Sequence, residues 1–103
     1  MTAKLLVLYR HPADPAAFDA YYRDVHVPLA KRLPGLADYE VSSGPVGALG
    51  RTSPYHLVAT LSFASRDALK EALRSPEGAA TAADVGNFAS AGVEMMTFET
   101  ADA

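Results

Sequence analysis

Hydrophobic positions along this chain follow two different periods, and their order predicts the fold. Lys4 to Arg10 (KLLVLYR) is a nearly unbroken apolar run ended by Pro12, the pattern of a strand buried on both faces. The period then lengthens. Phe18, Tyr22, Val25, Leu29 and Leu33 fall in one stripe narrower than about 90° at helical spacing, with Tyr21 on one margin and His26 on the other. Asp14-Pro15 has the form of an N-cap followed by proline in the first turn, and Pro34-Gly35 ends the helix. Within it, Pro28 has no N–H to give the carbonyl of Asp24 and crowds it, so the turn carrying His26 is expected to bend or loosen. Leu36 to Ser43 reads as a strand that brings Tyr39 back beside this helix.

After a Gly-, Pro- and Ser-rich connection from Gly44 to Pro54, expected to be mobile, Tyr55 to Phe63 alternates. Tyr55, Leu57, Ala59, Leu61 and Phe63 share one face, and His56, Val58, Thr60 and Ser62 the other. Ser65 caps a second helix with an Ala68, Leu69, Ala72, Leu73 stripe, and Ser75-Pro76-Glu77 restarts it, so that helix is expected to be broken. Gly92 to Thr100 closes the chain as a strand. The order β-α-β-β-α-β predicts one α+β domain over residues 1–103, ferredoxin-like, with a four-stranded antiparallel sheet and both helices on one face. Helices cover only one side of such a sheet, yet the first strand is apolar on both. A second copy packed face to face is the economical cover, which predicts a homodimer.

Composition narrows the function. A net charge of −3 with nine scattered Lys and Arg gives no basic footprint for nucleic acid. No apolar run approaches the length of a membrane span and no signal peptide pattern opens the chain, so the expected location is cytoplasmic. With no cysteine there is no disulfide, thiol nucleophile or thiolate site, and three separated histidines make a poor ligand set; no metal and no cofactor are expected.

His26 is the leading candidate for chemistry, because imidazole takes or gives a proton near neutral pH at little cost. A purely structural role, with its ring bonded to a carbonyl freed by Pro28, stays open. Tyr39 is positioned to donate to a developing oxyanion or to be a core tyrosine with a wet hydroxyl. Tyr22, one turn before His26, and Tyr9, near the end of the first strand, are candidate pocket walls or core fillers. Asp19 and Arg23 are spaced to pair on the helix surface, Asp24 points away from His26, and His56 is expected on the sheet face away from Leu57, in the dimer interface. No acid–base dyad is visible, so a general base would be His26 alone or through water.

Phe18, Tyr21-Tyr22, His26-Val27-Pro28, Leu33-Pro34-Gly35-Leu36 and Tyr39-Glu40-Val41, in this order and spacing, resemble the EthD family of small dimeric α+β barrel proteins from Lys4 to Thr100. In the related methylmuconolactone isomerase type, the histidine and tyrosine that match His26 and Tyr39 line the active site. That type also carries a cysteine two residues before Phe-Ala-Ser; here Phe63-Ala64-Ser65 is preceded by Leu61 at that place, so no thiol chemistry is available. The resemblance implies a cofactor-independent enzyme moving protons on a small apolar oxygenated molecule such as a lactone, cyclic ketone or polyketide-like aromatic. Isomerase, cyclase, decarboxylase and lyase reactions all fit, and cofactor-free oxygenation is a further possibility. His26 and Tyr39 would be catalytic, and Phe18, Tyr22, Leu61 and Tyr9 would bind substrate. The alternative is a non-catalytic dimer that binds a metabolite or supports an oxidative degradation pathway.

Overall fold

The structure, a computed structural model, describes residues 2–103. Strand β1 (Thr2–Arg10) is followed by helix α1 (Pro15–Tyr21), a π-helical turn (Tyr22–His26) and helix α2 (Val27–Ala30). Strands β2 (Leu36–Val41) and β3 (Tyr55–Phe63), helices α3 (Arg66–Arg74) and α4 (Pro76–Val85), and strand β4 (Val93–Thr100) complete it. The sheet runs β2-β3-β1-β4 with every neighbouring pair antiparallel, the ferredoxin-like α+β arrangement the element order predicts. Among the described residues no helix is long and apolar enough to cross a membrane.

Helix boundaries follow side-chain chemistry. Asp14 accepts from the Ala17 amide at 3.1 Å ahead of Pro15, and Ser65 caps α3 in the same way through Ala68. Ser75 both ends α3, donating to the Ala72 carbonyl at 2.6 Å, and begins α4, accepting from the Gly78 amide at 3.0 Å. The break between the two helices brings their backbones together at Gly78. A Cβ there would lie 2.7 Å from the Leu73 carbonyl oxygen and closer still to that of Ala72. Gly78→Ala is therefore expected to lower stability by about 1–3 kcal/mol, read as a reduced urea midpoint; an unchanged midpoint would mean the junction yields freely.

The turn before Pro28 does loosen, and the consequence corrects the predicted helix face. The Val27 amide reaches back five residues to the Tyr22 carbonyl, so one extra residue is accommodated. Residues four apart then line up. Phe18, Tyr22, His26 and Ala30 are buried, His26 with 4% of its surface exposed, while Val25 is turned out to 43%. His26 is thus central to the buried face rather than marginal.

A second correction concerns β3. Tyr9 pairs with Leu57 but Arg10 pairs with Tyr55, so His56 is the extra residue of a bulge and the alternation reverses. Tyr55 goes to the free face, bonded to Glu94, and His56 turns toward α1, its Nε2 lying 2.7 Å from Asp19. With Asp19 so engaged, Arg23 pairs with Asp24 at 2.9 Å instead. The sheet face away from the helices carries Leu6, Leu8, Val58, Met96 and Phe98 in adjacent registers of the three strands.

Candidate active site

Between sheet and helices lies a cavity of about 60 Å³. The π-helical turn contributes Tyr22 and His26 to it, β1 gives Tyr9, β2 gives Tyr39 and β3 gives Leu61. Phe18 does not line it. Instead its ring supports the wall from behind, edge-on to Tyr9 at 5.5 Å and stacked on Tyr22 at 6.0 Å.

The His26 ring sits between Phe88, 4.7 Å away, and Tyr22, 5.4 Å away, and its Nδ1 lies 2.8 Å from Oδ2 of Asp84 on the last turn of α4. No dyad is visible in the sequence, yet His26 does not stand alone: Asp84 is its carboxylate partner. Asp84 is itself anchored: its Oδ1 accepts from the Tyr21 hydroxyl at 2.6 Å and from the Asn87 amide at 3.1 Å. Burial pushes its pKa up, but the bonds from Tyr21, His26 and Asn87 outweigh this and hold the carboxyl below the usual carboxylate range. An ionised carboxylate only accepts, so Nδ1 carries a proton, and in the neutral form of the ring Nε2 is the unprotonated nitrogen. Among the described residues no group bonds to that nitrogen.

Asp84 escaped sequence reasoning because it stands 58 residues from His26. The available signal was a carboxylate near the end of an alanine-rich helix, away from the N-terminal turn where Glu77 is favoured by the helix dipole. Because its carboxyl is depressed in the folded state, Asp84 adds stability above the ordinary carboxylate pKa, and this is lost as pH falls through the lowered folded value. Asp84→Asn is expected to flatten the acid limb of stability against pH, measured as urea midpoints from pH 5 downward. An unaltered acid limb would mean Asp84 is not held in this way.

Tyr39 meets Tyr22 hydroxyl to hydroxyl at 2.6 Å. Burial raises both phenols. Either hydroxyl can donate in the bond they share, and when Tyr22 does, the Tyr39 proton is free for a ligand. Tyr9 is also raised, chiefly by burial, and stays a neutral donor. The remaining histidines lie elsewhere, in an open cleft between α1 and the segment after β2 that shares only Tyr22 with the cavity. There His11 Nε2 is 2.9 Å from the Ser53 carbonyl. Among the described residues, no three His, Asp or Glu side chains converge to hold a metal ion.

Comparison with known proteins places this geometry. The chain is 42% identical over 94 residues, 90% of its length and 89% of the relative's, to an uncharacterized 11.0 kDa protein encoded in the thcB-thcC intergenic region of Rhodococcus erythropolis. It superposes on an EthD family protein of Bacillus halodurans with TM-score 0.89 and 34% identity, covering 98% of this chain and 100% of that one. At the level of fold it is similar to SnoaB, a cofactor-independent oxygenase from Streptomyces nogalater (TM-score 0.66, 18% identity, 99% and 94% covered). It is likewise similar to a dimeric ferredoxin-like protein of unknown function from Thermobifida fusca (TM-score 0.71, 15% identity, 97% and 92% covered). Residues 10–92 match the EthD domain, and the chain belongs to the EthD family.

Proposed function

We propose that this protein is a cofactor-independent enzyme that transfers a proton on a small, largely apolar molecule bearing a carbonyl oxygen. The observation that carries this reading is the buried His26–Asp84 bond, set behind an imidazole whose other nitrogen is left for a ligand in an apolar cavity. Nε2 takes a proton from carbon next to the carbonyl, the C–H electron pair moves to form the enolate, and the oxygen accepts from Tyr39 and Tyr9. Asp84 stabilises the imidazolium. Returning the proton to a different carbon gives isomerisation; expelling a leaving group from the enolate gives a lyase reaction. Oxygenation is the activity of SnoaB, and comparing products with and without dioxygen separates it from these.

The apolar lining also suits a second reading, a non-catalytic dimer that binds such a molecule for another enzyme. A thermal-shift panel of lactones, cyclic ketones and phenols on wild type and His26→Ala distinguishes them. A ligand at about 100 times its Kd adds about 2.7 kcal/mol, on the order of 10 °C for a domain this size. Hits that are turned over by wild type alone support the enzyme. Hits bound equally by both proteins, with no turnover, support the carrier.

The working unit in this proposal is a homodimer. Leu6, Leu8, Val58, Met96 and Phe98 form a contiguous apolar face, with Met96 and Phe98 still 49% and 44% exposed in one chain, and a second sheet covers it.

A further inference from the structure

We infer that the cavity opens between the α3–α4 junction and β4, past Leu73 and Met95, and that it admits uncharged molecules and rejects carboxylates and amines alike. The inference rests on the site proposed above and specifies its ligand class. Most of the lining is buried or half-buried, but Leu73 and Met95 are 43% and 49% exposed, and Ala82 beside them is exposed as well. Side chains that line an interior cavity and also meet solvent mark its mouth.

The helix layer explains why the mouth is there. α3 packs on β1 and β3, and α4 on α2 and the π-helical turn, which leaves Met95 and Thr97 on the helix-facing side of β4 exposed.

Among the described residues no Lys, Arg, Asp or Glu lines the cavity. Arg74 and Glu77 flank the α3–α4 junction as exposed residues outside the lining, and other charges belong to other sites. Asp84 lies behind the imidazole, and Lys70 and Arg66, the latter paired with Glu99 at 2.9 Å, line a separate groove along α3 that shares Leu73. A ligand carboxylate would lose its water with no lysine or arginine to replace it, and Asp84 on the far side of the imidazole is already that ring's counter-charge. An ammonium would find hydroxyl groups but no carboxylate of its own. The cavity therefore selects a neutral skeleton with one or two acceptor oxygens, such as a ketone, lactone or ester, over the corresponding acid.

The chain has no cysteine, so Leu61→Cys places a single thiol in the cavity wall for a test that needs no natural ligand. Its modification is followed with neutral methyl methanethiosulfonate and with the anionic sulfonatoethyl and cationic trimethylammonioethyl reagents, each rate divided by that with a free thiol in solution. Both charged reagents are expected to be slower than the neutral one by about 100-fold. Adding Met95→Trp, at a half-exposed position, is expected to slow the neutral reagent. Charged reagents that keep pace, or a neutral rate indifferent to Met95→Trp, would overturn the inference. Where Leu61→Cys does not fold, Ala30→Cys on α2 gives the same readout, since Ala30 also lines the cavity. Full turnover by His26→Ala would sink proton transfer by His26 while leaving the labelling result intact, so the two failures are distinguishable.

Discussion

His26→Ala is expected to lower kcat/KM by roughly two to four orders of magnitude in a protein that remains folded. The size follows from the loss of the one imidazole that lines the cavity among the described residues: Tyr9, Tyr22 and Tyr39 are phenols raised by burial and cannot replace it at neutral pH. The fold should survive because Asp84 keeps Tyr21 and Asn87 as donors after the imidazole is gone. Asp84→Asn should give a smaller rate loss by a different route, since an amide no longer requires the proton on Nδ1, and a fraction of His26 then offers Nε2–H instead of a lone pair. An order with His26→Ala worse than Asp84→Asn would separate a base from its positioning partner, and Tyr39→Phe should lower kcat separately, through loss of one donor to the enolate oxygen. Equal turnover by His26→Ala and wild type would remove the histidine from the chemistry.

The second large effect is on assembly. Leu6→Glu is expected to convert the proposed homodimer into a monomer at micromolar concentration, read by sedimentation as a fall from twice the chain mass to the chain mass. Leu6 sits between Thr60 and Met96 on the face away from the helices, and a two-fold axis would bury the new carboxylate twice. Desolvating each unpaired charge costs several kcal/mol, and each 1.4 kcal/mol is tenfold in Kd, so the dimer should weaken by about a thousandfold or more. Wild type running as a monomer at tens of micromolar would refute the face-to-face assembly, and a Leu6→Glu protein that stays dimeric would place the interface elsewhere.

The fold was legible because it depends on local chemistry. The apolar run of β1, the Asp14, Ser65 and Ser75 caps, and the break at Pro76 all act within a few residues of the sequence that encodes them. Pro28 was legible as a disturbance but not as its outcome. Loss of one donor predicts a loosened turn, whereas the π-helical register that centres His26 and exposes Val25 depends on what the helix packs against. The bulge at His56 gave no signal, because Tyr55 to Phe63 alternates cleanly in sequence and only pairing with β1 shows the extra residue.

The same divide runs through the site. His26 and Tyr39 could be singled out from residue chemistry and from the resemblance to EthD proteins. Asp84 could not, since its role arises only when α4 folds back over the π-helical turn and brings Tyr21, His26 and Asn87 around one carboxylate. A carboxylate in an alanine-rich helix reads as a solvated charge until that packing is known.

The tautomer of His26 tests the central claim most directly, and it needs neither substrate nor mutation. In protein labelled with nitrogen-15 at histidine, long-range nitrogen–proton spectra distinguish the two ring nitrogens of the neutral form. The His26–Asp84 geometry predicts a protonated Nδ1 and an unprotonated Nε2 whose signal shifts when a carbonyl ligand occupies the cavity. A proton on Nε2, or equal population of the two tautomers, would contradict the assignment of His26 as the base.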